Sequence, residues 1–258
     1  MKVVILAGGL GTRISEETVI RPKPMIEIGG KPLIWHIMKI YSHYGYNEFV
    51  ICLGYKGHMI KEFFINYFLY NSDITVQLEK NVIDVHFSNT ESFKVTLVDT
   101  GLNTNTAERI KRIEKHVKGQ RFMLTYGDGL TNLNIAELIK FHEKTGKLVT
   151  LTSIQLPGRF GNIETVDSGL VTKFKEKPTG DGVWINGGFF VLEPGIFKYL
   201  QGNVENIQWE QGPLLEIAKD KQLMAYRHHG FWHCLDAMRD KIELENLWDT
   251  NNAHWKIW

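Results

Sequence analysis

Residues 2–13 constrain this chain more than any other stretch: Val3, Val4, Ile5 and Leu6 form an apolar run that passes directly into Gly8, Gly9 and Gly11. A short apolar run bounded by glycine reads as a buried strand, and the glycines let the backbone approach a ligand closely. Successive N–H groups in tight or left-handed turns form an anion-binding concavity, to which Thr12 and Arg13 add a hydroxyl and a guanidinium fork. The segment therefore predicts a phosphate-binding loop made of Leu6, Ala7, Gly8, Gly9, Leu10, Gly11, Thr12 and Arg13. A plain glycine turn after an edge strand would leave Arg13, and Lys23 between Pro22 and Pro24, unexplained.

Two familiar loops are excluded. The dinucleotide pattern G-x-G-x-x-G fails because Ile14 stands where the third glycine belongs, and G-x-x-x-x-G-K-[ST] is absent. The chain also lacks a Gly-x-Ser-x-Gly elbow and a His-Glu-x-x-His pair, so hydrolase readings find no support. His228, His229 and His233 have neither the spacing nor a nearby cysteine pair that resembles a zinc site.

With 258 residues the chain can bury a core without disulfides or metal. Thirty basic residues against twenty-nine acidic ones give a net charge of +1, with no basic block to suggest a nucleic-acid or membrane surface. Any polyanion must be met by a local site. Cys52 and Cys234 are far apart, which argues against a disulfide framework and fits a reducing cytoplasm. The chain opens on the Val3–Leu6 run rather than a charged leader, and no apolar run approaches membrane-spanning length, so neither secretion nor membrane insertion is expected.

Short apolar runs alternate with amphipathic segments through the first half, the pattern of strands crossed by helices. Helical spacing is expected from Leu33 to Tyr41, from Ile60 to Phe68 and from Thr106 to Val117. Residues 49–53, 121–126 and 148–154 are expected strands. Residues 74–98 alternate in strand fashion and read as an inserted hairpin. The aromatic stripe Phe63, Phe64, Tyr67 and Phe68 reads as core or subunit interface. Asn134 and Glu137 have capping-box spacing. Beyond Pro157 the pattern turns to hairpins, then to helices near 213–219 and 238–248. The predicted fold is α/β, a Rossmann-like, mixed but mostly parallel twisted sheet flanked by helices, with a smaller β-rich part. It is expected to form a single domain whose two parts are residues 1–150 and the more β-rich 151–258.

G-x-G-T-R followed by Pro22-Lys23-Pro24 resembles the signature of the nucleoside-diphosphate-sugar pyrophosphorylases, nucleotidyltransferases that join an NTP to a sugar 1-phosphate. The resemblance continues at Tyr126-Gly-Asp-Gly129, Phe174-Lys-Glu-Lys-Pro178, Ile185-Asn-Gly-Gly188 and His233-Cys-Leu-Asp236. The segment from Val98 to Arg109 is similar to the glucose-1-phosphate cytidylyltransferase branch. The resemblance implies that CTP and α-D-glucose 1-phosphate give CDP-glucose and pyrophosphate without a covalent enzyme intermediate. It also implies a bacterial role in deoxysugar and surface-polysaccharide (O-antigen, lipopolysaccharide) synthesis.

Both reactants are anionic, so catalysis must rest on charge neutralisation and alignment. The resemblance implies Mg2+ held by Asp128 and Asp236, each expected just past an apolar strand. Without the resemblance, Asp128 reads first as a turn aspartate between two glycines. Arg13 and the loop N–H groups are expected on the β- and γ-phosphates and Lys23 near the α-phosphate, which makes Arg13, Lys23 and Asp128 the catalytic set. Glu176 and Lys177 match the family's sugar-site pair, although composition alone makes them a charged strand end; Gly161 and Asn186 look like further sugar contacts. Thr104 and Arg109 are placed near the base, with a solvated helix arginine as the alternative for Arg109. Rival readings keep the chemistry with UTP or dTTP, or retain binding of a nucleotide sugar without turnover. A homo-oligomer is expected from the aromatic helix and from Trp248, Trp255 and Trp258.

Overall fold

A computed structural model describes residues 1–117, 119–156, 162–175 and 183–258. The chain opens with β1 (Lys2–Leu6), the one-turn helix α1 (Ser15–Thr18), the bridged pair β2 (Glu27–Ile28) and β3 (Lys31–Pro32), and α2 (Leu33–His43). Then come β4 (Glu48–Leu53), α3 (Gly57–Tyr70), β5 (Ser72–Gln77), β6 (Val82–Ser88) and β7 (Lys94–Asp99). The middle holds α4 (Thr106–Arg112), α5 (Glu114–Val117), β8 (Phe122–Tyr126), β9 (Gly129–Thr131), α6 (Ile135–Thr145) and β10 (Val149–Ile154). The last part comprises β11 (Asn162–Thr165), β12 (Val171–Lys175), β13 (Ile185–Leu192), α7 (Pro213–Lys219), β14 (Leu223–Arg227), β15 (Trp232–Cys234) and α8 (Met238–Asp249).

Seven strands form the central sheet in the order β14-β10-β13-β8-β1-β4-β7. β8, β1, β4 and β7 run parallel to one another, as do β10 and β14; β13 is antiparallel to both of its neighbours. The sheet is thus mixed and mostly parallel, as the alternation of apolar runs predicts.

Strand alternation divides the core between the two faces. Val3 and Ile5 of β1, Phe49 and Ile51 of β4 and Met123 of β8 pack with Leu33, Ile37 and Tyr41 of α2 and Leu138 of α6. Val4, Val50, Phe122 and Leu124 point the other way, onto Ala107 and Ile110 of α4, Phe197, Trp209 and Ile217. Burial on both faces explains why β1 and β8 are apolar at nearly every position rather than alternating.

Three local expectations need correction. The stretch 74–98 is not one hairpin: β5 and β6 pair with each other, but β7 leaves them to pair with β4 at the edge of the central sheet. The alternation of Val95 and Leu97 looks the same in either setting, so sequence could not separate them. The helix expected over 106–117 is interrupted at the fully buried Ile113, which separates α4 from α5. The tryptophans of the tail are spent inside the protomer: Trp255 is fully buried and packs with Trp248 around His36, while Trp258 lies edge-on to Trp35. Elsewhere local signals hold. Asn134 Oδ1, for example, accepts from Glu137 N at 3.1 Å to cap α6.

Candidate active site

The chain runs from β1 to β4 and β7 on one side and then returns to β8 on the other side of β1. That reversal opens a crevice beyond the carboxyl ends of β1 and β8, where open α/β sheets bind ligands. A cavity of about 270 Å³ lies there, lined on one wall by Leu6, Ala7, Gly8, Gly9, Gly11 and Arg13. Lys23, Thr104, Thr106, Arg109, Tyr126 and Asp128 contribute to the rest of its lining. Leu10 and Thr12 belong to the same loop but are turned outward, exposed to solvent.

Gly8 must be glycine for a reason outside the loop. A Cβ there would stand 2.1 Å from Arg109 Nη1, so the bare backbone is what lets the arginine pass beneath it. Arg109 is buried and is not the solvated helix residue that its position on α4 allowed. Its Nη1 donates to Leu53 O (3.0 Å) and Thr100 Oγ1 (2.8 Å), and its Nη2 donates to Gly8 O (3.1 Å). The guanidinium therefore ties the ends of β1, β4 and β7 together below the loop. Thr104 Oγ1 is likewise engaged, donating to Thr100 O at 2.6 Å, but its lone pairs remain available as acceptors.

The acidic side of the crevice is made by strand pairing. β9 follows Asp128, β15 precedes Asp236, and these short strands pair antiparallel with Cys234 opposite Gly129. Leu235 N then donates to Asp128 O at 2.9 Å, which closes the register and sets the two aspartates side by side. Asp240 Oδ2 accepts from the N–H groups of Asp236 (2.9 Å) and Ala237 (2.7 Å), anchoring the loop to the start of α8.

Lys23 stands between the aspartates. Its Nζ lies 2.7 Å from Asp128 Oδ2 and 2.6 Å from Asp236 Oδ1, and Arg13 Nη1 reaches Asp236 Oδ2 at 2.7 Å. Burial alone would depress the Lys23 ammonium, but Asp128's charge and the bonds to both carboxylates carry its pKa above the ordinary lysine value. Burial would likewise raise the Asp236 carboxyl; Lys23 and Arg13 instead hold it below the usual carboxylate range. Arg13 differs from Lys23 in being 76 % exposed, so it can swing between Asp236 and the cavity.

This donor set suits a small divalent cation. Ligand atoms of Asp128, Asp236 and Cys234 lie within 4.8 Å of one another, and carboxylate oxygens are what hard ions prefer. Cys234 was not expected here. Burial, reinforced by the adjacent aspartates, pushes its thiol up, which leaves the oxygens as the donors for a hard ion.

Of the residues expected at the sugar, Asn186 is described: its Nδ2 donates to the Tyr126 hydroxyl at 3.1 Å. Gly161, Glu176 and Lys177 lie outside the described residues. Sequence reasoning missed Tyr126, Thr106 and Glu210. Glu210 bonds Tyr126 from 84 positions away and has no motif around it to mark it.

Residues 2–233 match the family model described as nucleotidyl transferase. The chain is 51% identical to the glucose-1-phosphate cytidylyltransferase of Salmonella typhi, with all of both chains covered. It is 44% identical to the probable glucose-1-phosphate cytidylyltransferase of Bacillus subtilis (strain 168), again over the whole of both. Among solved structures, a UDP-glucose pyrophosphorylase complexed with UDP-glucose superposes with a TM-score of 0.69 at 20% identity, covering 97% of this chain and 98% of that one. That last likeness is one of fold.

Proposed function

The chain belongs to the nucleotidyl transferase family, and from that membership we propose that it transfers the cytidylyl group of CTP to α-D-glucose 1-phosphate, releasing CDP-glucose and pyrophosphate. The observation that carries the chemistry is the meeting of Lys23, Arg13, Asp128 and Asp236 beside the glycine loop. The identity to glucose-1-phosphate cytidylyltransferases across both whole chains supports this choice of base and sugar.

In this reading an oxygen of the sugar phosphate attacks the α-phosphorus in line. A new P–O bond forms as the bond to the β-phosphate bridging oxygen breaks, and pyrophosphate departs. Loop N–H groups from Gly8 to Thr12, with Arg13, hold the β- and γ-phosphates and neutralise charge on the leaving group. Lys23 is presented to the α-phosphate from a segment stiffened by Pro22 and Pro24. Asp128 and Asp236 would hold magnesium, which when bound supplies positive charge against the phosphate oxygens.

Thr104 accepts from the cytosine amino group through its free lone pairs, and Arg109 supports the base wall from below. Glu176 accepts from sugar hydroxyls, Lys177 meets the sugar phosphate, and Gly161 and Asn186 complete the sugar side. Residues 1–150 then serve mainly the nucleotide and 151–258 the sugar and metal. No described helix is long and apolar enough to cross a membrane. By its resemblance to glucose-1-phosphate cytidylyltransferases, the enzyme would work in the cytoplasm and feed surface-polysaccharide synthesis. Exposed apolar side chains on α3 and the β5–β6 hairpin support self-association.

Pyrophosphate release measured with each of CTP, UTP, dTTP and GTP tests the reading. CTP with glucose 1-phosphate should exceed the others by at least about tenfold, consistent with buried polar groups that reject the wrong hydrogen-bonding pattern. No release with any of the four nucleotides, or release with UTP alone, would overturn it. Lys177→Ala should raise the glucose 1-phosphate KM by about tenfold while the CTP KM stays within about twofold.

A further inference from the structure

Tyr126 ends β8 two residues before Asp128, and its hydroxyl joins three distant segments of the chain. Asn186 Nδ2 donates to it at 3.1 Å, and the phenol in turn donates to Glu210 Oε1. Glu210 Oε2 accepts from Thr106 Oγ1 at 3.2 Å, and that hydroxyl oxygen accepts from Trp209 N at 2.7 Å. At the opposite end Asn186 Oδ1 accepts from Gly188 N at 2.9 Å.

Only one arrangement of protons satisfies this chain. The Gly188 N–H can only donate, so the Asn186 carboxamide must turn its oxygen toward it and its NH2 toward Tyr126. The phenol oxygen, already accepting there, spends its one proton on Glu210. Thr106 accepts from a main-chain N–H and so also spends its proton on Glu210. Both ends are thus anchored on backbone donors, and an ionised carboxylate in the middle accepts twice. Burial, with Glu210's charge and bond, pushes the Tyr126 phenol upward, so it keeps the proton that this arrangement needs.

Packing fixes the ring as firmly as the bonds fix the hydroxyl. Gly188 has φ 78°, and a Cβ on it would lie 2.4 Å from Tyr126 Cδ2, so the ring rests on bare backbone in the Asn-Gly-Gly segment. Tyr126 and Thr106 both line the cavity that holds the glycine loop and Asp128.

We infer that Tyr126 and Glu210 are positioning residues for the sugar 1-phosphate: they lock the Asn186 carboxamide so that one N–H and one oxygen lone pair face a hydroxyl pair of the sugar. This rests on the functional reading above, in which Asn186 faces the sugar. Neither residue touches the reacting phosphates; both act through Asn186. The Gly188 N–H fixes only the oxygen end of the amide, so without the phenol at its NH2 the Asn186 carboxamide would pivot about that bond and lose the aim of its donor and acceptor for part of the time.

Steady-state kinetics on the full chain, with glucose 1-phosphate and CTP varied in turn, test this. Tyr126→Phe removes only the hydroxyl and Glu210→Ala only the carboxylate arm, and each should raise the glucose 1-phosphate KM by about tenfold while the CTP KM moves less than about twofold. Glu210→Gln keeps an oxygen for the phenol and should recover most of the loss. A thermal melt of each variant separates folding from positioning. Equal rises in both KM values, or Glu210→Gln as impaired as Glu210→Ala, would mark a merely structural contact and overturn the inference. An inactive wild-type chain would bring down the functional reading and this inference together; an active wild type with unselective variants would bring down the inference alone.

Discussion

The centre of the sheet and its β7 edge handle exposed chemistry in opposite ways. At the centre, β1 and β8 are buried on both faces, and the charged groups at their ends are paired: Lys23 with two carboxylates, Arg13 with one, Arg109 with backbone oxygens. Beyond β7, α3 buries only Gly57 and Ile60, and the β5–β6 hairpin exposes Val76, Leu78, Val82, Val85 and Phe87. Charged groups are costly where they are buried, and at the strand ends these are paired; apolar groups are costly where they meet water, and at the edge they are left open. The first region closes its chemistry within its own chain, and the second leaves apolar surface open to solvent.

The sharpest way to break this contrast is to remove a charge from the centre. Lys23→Ala leaves Asp128 and Asp236 facing each other without their ammonium, and it deletes the donor intended for the α-phosphate. Turnover should fall about 10²–10³-fold, with far-ultraviolet circular dichroism unchanged. Asp236→Asn should cause a loss of the same order and abolish activation by added magnesium. Near-wild-type turnover in either variant would show that the paired cluster is a structural clasp rather than the reaction centre.

The legibility of these regions in sequence follows from how local their signals are. β1 and the glycine loop are adjacent in the chain, so an apolar run and three glycines suffice to read them. Asp128 and Asp236 meet only because the three-residue strands β9 and β15 pair, and strands that short carry no periodicity. Their convergence was legible through resemblance alone. Arg109 was read as base-facing or solvated; that it lies beneath Gly8 depends on helix α4 packing across the ends of three strands. Glu210 was invisible for the same reason. The tail tryptophans misled because burial and interface demand the same residue type, and here the surface they needed was supplied by His36 within the protomer.

That histidine sharpens the contrast in stability rather than in rate. His36 is fully buried; Nε2 bonds Ile28 O at 2.8 Å, and Trp255 Nε1, which can only donate, points at Nδ1 at 3.3 Å. Nδ1 must therefore be the unprotonated acceptor. Burial, together with the charges of Lys256 and Lys31, pushes the imidazole down to about 4 from an ordinary 6.5. The unfolded chain then binds the proton more readily than the folded one. Stability is complete above about pH 6.5 and falls as pH drops toward 4, by about 3 kcal/mol in all. Urea unfolding at pH 7, 5.5 and 4.5 reads this directly. His36→Gln should be less stable at pH 7 but show a flatter slope; an unchanged slope would assign the pH dependence elsewhere.

The smallest effect on the folded chain, and the cleanest test of the open region, is expected at the hairpin. Leu78 is 87 % exposed and Phe87 63 %, so replacing both by serine removes little buried contact within the protomer. Protomer stability should change by no more than about 0.5 kcal/mol per site. Turnover should stay within about twofold, because neither residue lines the cavity at the sheet centre. On the proposal that this open apolar face is where copies associate, the replacement should shift sedimentation toward smaller species. If the assembly is unchanged while the protomer loses several kcal/mol, the hairpin belongs to the chain's own core and the two regions differ only in degree. If assembly and turnover fall together, the edge is coupled to the centre.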